Sequence, residues 1–201
     1  GYCIGFIIVI LGRQQLFTEN TLTPILQLLH RKNRYTLIRV GRLWGIVLLA
    51  NLAGAAVFAL LMCAMSQYQD GLRQELTQIG MKLVAHAFPA TLLSALFAGW
   101  MIALMVWLLP VAESGRVSII ILVTYVVGLG GFAHIIAGSV SALYLLMAGG
   151  TNVAALVGRF FIPTLIGNIV GGVAFVAAIN YAQVNPPGDD ETVNTIRRQG
   201  G

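Results

Sequence analysis

Gly128-Leu129-Gly130-Gly131-Phe132-Ala133-His134-Ile135-Ile136-Ala137-Gly138-Ser139 is the stretch on which the reading of this chain turns. It sits inside an apolar run from about Val117 to Met147 whose one side chain able to carry charge near neutral pH is His134. Gly128, Gly130, Gly131 and Gly138 weaken a continuous helix there, since glycine costs about 1 kcal/mol relative to alanine at each helical position. The pattern predicts two half-helices that meet partway across a membrane. Unwound backbone is tolerated at that depth only where protein or a water-filled cavity satisfies its polar groups. An ionisable residue in such a place is a functional candidate by default. His134 is therefore the expected centre of the protein.

Composition sets the class. The chain has 201 residues, of which 58% are hydrophobic and 9% charged, with a mean hydropathy of +0.85. Soluble domains carry about 25% charge, so an all-α integral membrane protein is expected. The chain starts Gly1-Tyr2-Cys3, without methionine, a basic n-region or a cleavage site, so no signal peptide is read. Cys3 and Cys63 both fall in apolar spans and suggest neither a disulfide framework nor a metal site. No cofactor or metal is expected. The net charge of +5 comes mostly from loops, where it reports orientation and not nucleic-acid binding.

Spans need about 20 apolar residues each. The first, about 1–29, is broken: Tyr2 to Leu11 is apolar, Gly12-Arg13-Gln14-Gln15 interrupts it, and Leu16-Phe17-Thr18-Glu19-Asn20 leads into a second apolar part containing Pro24. A basic segment, His30 to Arg42, precedes a clean span over 44–65. Over 70–85, Leu72, Leu76, Ile79 and Leu83 recur at helical spacing, which predicts an amphipathic helix on the membrane surface. Further spans follow at 87–109, stopped by Pro110, at 117–147, and at 160–182, with Pro163 placed for a helix's first turn. Residues 1–183 thus form a transmembrane domain, and 184–201, with Pro186-Pro187-Gly188, a solvated tail.

Lysine and arginine counts set the expected orientation. One side would hold Arg31, Lys32, Arg34, Arg39, Arg42, Arg116, Arg197 and Arg198; the other would hold Arg73, Lys82 and Arg159. The larger group marks the cytoplasmic side, which places the C-terminal tail there. Trp44 and Trp107 then lie towards that interface.

The two halves echo each other. Leu49-Ala50-Asn51-Leu52-Ala53-Gly54 resembles Ile166-Gly167-Asn168-Ile169-Val170-Gly171, and each lies on an unbroken span that follows a broken one. Paired interrupted helices in two halves point to a central binding site. Inverted repeats need an odd number of spans each. The first half shows two and the second three, so the expectation is an inverted repeat whose first transmembrane helix is missing from this chain.

Several motifs together resemble the formate/nitrite transporter family: Leu16-Phe17-Thr18, the Asn51 and Asn168 motifs, Met105-Val106-Trp107, and Gly131-Phe132-Ala133-His134. The likeness runs over nearly all of 1–182, and Arg13-Gln14-Gln15-Leu16-Phe17-Thr18-Glu19-Asn20 resembles a divergent branch. The resemblance implies an aquaporin-like fold and a homopentamer in the bacterial inner membrane. Its substrates would be small monovalent weak-acid anions such as formate or nitrite. It implies that His134 is the pore histidine, with Thr18 opposite. Leu16 and Phe17 would form a cytoplasmic constriction, and Tyr2, Phe6 and Val127 a periplasmic one. Asn51 and Asn168 would brace the breaks. The family usually has an acid where this chain has Gln15, reads Glu-His-x-x-Ala-Asn where it has Ala133 and Gly138, and has a vestibule asparagine where it has Gly99. Its vestibule lysine corresponds to Lys82 after a one-residue shift.

A bare anion in hydrocarbon faces a desolvation cost of tens of kcal/mol in the Born limit. His134 would meet it by donating a hydrogen bond or proton. A channel and a proton-coupled symporter use the same site and both stay open. The readings that compete for single residues are structural: His134 could bond unwound backbone, Thr18 could cap a half-helix, and Arg13 is expected to pair with Glu19 or loop carbonyls. An enzyme is not expected. Ser139 and His134 lie five apart on one segment, with no carboxylate at membrane depth to orient them.

Overall fold

The computed structural model describes residues 1–21, 24, 25, 28 and 33–184. Leu29, His30, Arg31, Lys32 and the tail beyond 184 lie outside the described residues, as do the readings that rest on them. Every regular element among the described residues is helical: α1 (Tyr2–Leu11), α2 (Arg34–Ser66), α3 (Asp70–Ala85), α4 (Phe88–Leu108), α5 (Arg116–Leu129), α6 (Ile135–Met147), α7 (Val153–Leu156) and α8 (Ile162–Val184). Three stretches are long and apolar enough to cross a membrane: Arg34–Ser66, Phe88–Val111 and Val153–Ile179. Tyr2–Leu11 and Ile135–Met147 are shorter apolar helices. The protein is a membrane protein.

The two interruptions are built alike. At the end of α1, Gln14 N–H reaches Val9 O at 2.9 Å, and Arg13 takes the left-handed conformation at φ 52°. At the end of α5, Phe132 N–H reaches Val127 O at 3.0 Å, and Gly131 takes it at φ 61°. This closure satisfies carbonyls that a helix end would otherwise leave bare, and glycine is its usual occupant. Arg13 fills in the first half the place that Gly131 fills in the second. Three residues past each left-handed position stand Leu16 and His134. The corresponding residues of the two breaks are therefore Leu16 and His134, and Thr18 lies two residues further along the first break.

Two boundaries differ from expectation. α2 starts ten residues before Trp44, because the Asn33 side chain accepts Thr36 N–H at 2.7 Å and caps a helix there. Its 33 residues span roughly 50 Å at 1.5 Å each, more than a bilayer's ~30 Å core, so Arg34–Arg42 prolongs a transmembrane helix into the interface. The last span starts at Val153, capped by Asn152, and not at Phe160. Pro163 thus falls inside a helix and not in its first turn. A π-helical turn over Val157–Phe161 directly precedes it. That wide turn accommodates the missing N–H and the ring, which would otherwise clash with the carbonyl four residues back. Val184, the first residue of the expected tail, still belongs to α8.

The scaffold is the pair α4 and α8. A Cβ on Gly167 would stand 2.6 Å from Leu92 O, and one on Gly171 would meet Leu96 O and Trp100 N. Glycines four apart on α8 let the two backbones touch, as small residues do between membrane helices. α3 is held by the same device: a Cβ on Gly80 would lie 2.9 Å from Ser141 O and 2.8 Å from Leu145 Cβ of α6. α3 is thereby docked on α6. Trp44 and Trp107 pack into one cluster with Ile25, Ala103 and Phe175.

Candidate substrate site at the two helix breaks

Each break is gripped by one asparagine. Asn168 on α8 accepts Ile135 N–H at 2.9 Å and donates to Ala133 O at 2.9 Å, so it straddles His134. Its amide also donates to Ala95 O of α4 at 2.8 Å, and the residue is 1% exposed. Asn51 on α2 accepts Phe17 N–H at 3.0 Å and donates to Gln15 O at 3.0 Å, straddling Leu16. Both asparagines meet backbone that a broken helix leaves unpaired, where an unmade bond is expensive. Ser94 Oγ accepts Ala133 N–H at 3.0 Å and completes the second break. Sequence motifs located the asparagines. Ser94, a small polar residue in an apolar helix, carried no signal beyond its composition.

These grips bring Thr18 and His134 together. Thr18 Oγ1 lies 2.8 Å from His134 Nε2, and each residue is 2% exposed. His134 Nδ1 accepts Ala137 N–H at 3.2 Å, so the imidazole is also the N-cap of α6. An Nδ1 that accepts leaves the ring proton on Nε2, which donates to Thr18 Oγ1. Both ring nitrogens are occupied. The hydroxyl proton of Thr18 is the donor that this pair leaves free.

The apolar residues are arranged otherwise than expected. Phe6 stands edge-on to the imidazole at 5.3 Å between ring centroids, and Tyr2 lies 5.3 Å beyond Phe6. Leu16 packs with Phe6, Ile102, Met105, Ile120 and Val123 in one buried cluster. Phe6 and Leu16, expected in separate necks, share this one buried cluster, and Phe6 is the member that meets the imidazole. Phe17 does not join Leu16: it packs against Val47, Ile135 and Trp44 on the side of α2. Val127 is fully buried, while Tyr2 is over a third exposed and lies against Gly128. A half-open cavity of about 790 Å³, walled by Lys82, His86, Ser94, Phe97 and Phe132, reaches Ala133 and stops short of His134.

Arg13 and Glu19 are not paired. Among the described residues the ion pair is Arg73 with Asp70 on α3. Arg13 is exposed and serves the break through its left-handed backbone. Ser139 Oγ donates to Ile135 O within its own helix and faces no base.

This all-helical membrane fold brings two unwound segments together around a bonded polar pair, Thr18 and His134. It superposes on a solved structure described as a pentameric formate channel with formate bound, with a TM-score of 0.74 and 23% identity over 90% of this chain and 80% of that one. The formate/nitrite transporter family profile matches residues 1–182, and the chain belongs to that family. Among relatives, inner membrane protein YfdC of Escherichia coli is 39% identical over 184 residues, covering 92% of this chain and 59% of that protein. The transporter YrhG of Bacillus subtilis is 30% identical over 190 residues, covering 89% and 67%. Formate-nitrite transporter 3 of Toxoplasma gondii is 30% identical over 192 residues, covering 91% and 37%. The chain therefore spans 59% of the length of the Escherichia coli relative.

Proposed function

We propose that this chain forms the conduit by which a small monovalent weak-acid anion, formate, nitrite or one like them, crosses the membrane. The observation that carries the reading is the Thr18–His134 bond, 2.8 Å long and buried, made between two unwound segments. An anion that reaches this point accepts the free hydroxyl proton of Thr18 in a hydrogen bond, while His134 Nε2–H polarises that hydroxyl from behind. A hydrogen bond to a charged acceptor is about twice as strong as a neutral one. Transfer of a proton to the anion removes the larger part of its desolvation cost. His134 therefore acts on substrate through Thr18, and Asn168 and Ala137 hold the imidazole for that task. Phe6 and Leu16 are the gate, and side-chain rotation at these two positions opens it.

The likeness to a pentameric channel supports a homopentamer with one conduit per subunit, and the paired breaks support an aquaporin-like inverted repeat. The arginines of Arg34–Arg42 and Arg116 support a cytoplasmic C-terminus in the inner membrane of a bacterium. A proton-coupled symporter built on the same pair is the second reading, favoured by the unpartnered carboxyl oxygen of Glu19 one residue further on.

Purified protein in liposomes, assayed for formate and nitrite flux, tests the conduit. Thr18→Val keeps the shape and removes the hydroxyl, and His134→Ala removes its partner. Both should lower flux by roughly two orders of magnitude, the scale of a positioned proton donor, while Thr18→Ser keeps most of it. Parental flux in Thr18→Val would sink the reading.

A further inference from the structure

The first break holds a carboxyl that this mechanism leaves unused. Around it the polar atoms are provided for. Asn51 takes the Gln15 carbonyl and the Phe17 N–H. Asn20 Nδ2 donates to Leu16 O at 2.9 Å, Thr21 Oγ1 to Thr18 O at 2.7 Å, and Trp44 Nε1 to Asn20 O at 3.0 Å. Glu19 is the exception. It is half-buried, and its Oε1 is shielded from solvent without a hydrogen-bond partner. The residue follows Thr18 directly in the chain, on the same unwound segment.

No described cation answers it. Arg13 is exposed and unpaired with it, and the turn Glu19–Thr21 packs on α4 and α8, neither of which carries Asp, Glu, Lys, Arg or His. On α2, whose Trp44 bonds the turn, the charged residue closest in sequence to that tryptophan is Arg42, which is exposed. Across the break the titratable group is His134, whose nitrogens are both engaged. A carboxyl oxygen kept from water without a donor calls for one. In a conduit for weak acids, a transferable proton supplies it.

We propose that Glu19 is the proton-carrying residue of this conduit, handing its proton to the anion held at Thr18 so that anion and proton cross together. The inference rests on the conduit reading above. In each cycle the O–H bond of the Glu19 carboxylic acid breaks and an O–H bond forms on the anion, which leaves a Glu19 carboxylate and a neutral acid. The neutral acid passes the gate and ionises in the far solution. The carboxylate regains a proton from the phase that the anion left. One proton and one anion have then moved, with no net charge and no change of oxidation state.

The experiment uses full-length protein in liposomes that contain a pH dye, with formate influx measured alongside and protein-free vesicles subtracted. The potential is set with potassium and valinomycin. The parent should move about one proton per formate and ignore the potential, as direct proton transfer to the substrate requires. Glu19→Gln should lower that ratio roughly fivefold or more and make the remaining formate flux follow the potential, while Glu19→Asp restores the parental ratio. An unchanged ratio in Glu19→Gln overturns the assignment. Should Glu19→Gln pass nothing, recovery of both flux and ratio in Glu19→Asp upholds it, and no recovery overturns it by showing a packing role. Failure of the conduit reading looks different: the parent itself would pass no formate above protein-free vesicles, and the assignment would fall with it.

Discussion

The grip of Asn168 on the second break allows a quantitative test. Replacing Asn168 with alanine removes bonds at 2.9, 2.8 and 2.9 Å from a side chain that is 1% exposed. Ala95 O lies within α4 and keeps its helical partner. Ile135 N–H and Ala133 O, in contrast, are left without this partner where water does not reach. Each buried group so orphaned costs about 1–3 kcal/mol, so the loss should be about 2–6 kcal/mol. Asn51→Ala removes two bonds in a more open setting. Water can take over the Gln15 carbonyl there, which limits the loss to about 1–2 kcal/mol. Asn168→Asp should cost at least as much as Asn168→Ala, since it turns carboxylate oxygens towards two carbonyls. Equilibrium unfolding in mixed micelles, titrated with a denaturing detergent and read by tryptophan fluorescence, measures the series. If Asn168→Ala costs no more than Asn51→Ala, the account of the break as a hydrogen-bonded assembly held from α8 is wrong.

Arg13→Gly should stabilise the protein by about 1 kcal/mol in the same assay, because it removes a side chain from a left-handed position and breaks no ion pair. Gly138→Ala puts a Cβ 2.6 Å from Phe160 Cζ and 2.8 Å from its Cε2. It should cost about 1–3 kcal/mol by overpacking, and Phe160→Leu should recover part of that. A neutral Gly138→Ala would mean that the contact between α6 and the π turn is loose.

Much of the site could be read without coordinates because membrane depth is unforgiving. His134 stood out as the lone readily charged side chain in a long apolar run, and its glycines announced a break. Asn51 and Asn168 stood out as amides at matching places. What escaped was the register between the halves. Leu16 and His134 share no chemistry, and Arg13 occupies a position where glycine is the usual signal, so their correspondence shows only in backbone geometry. Pro163 misled for a similar reason: a proline near the start of an apolar run marks a first turn unless a wider turn makes room for it. Opposite charges six residues apart predict an Arg13–Glu19 pair. The left-handed turn at Arg13 leaves the guanidinium exposed and unpaired with Glu19.

The chain's own composition and periodicity determined that it crosses a membrane by helices, that two of them break, and which histidine stands at a break. These follow from local costs, glycine in a helix and charge in hydrocarbon, that each segment bears wherever its neighbours lie. Only the tertiary structure decided that Nδ1 of His134 is spent on capping α6, that its Nε2 meets Thr18 from the other half, that Phe6 and Leu16 share one buried cluster, and that Glu19 Oε1 has no partner among the described residues. Each depends on contacts between residues far apart in the chain, and such pairings are set by packing, which no single segment encodes.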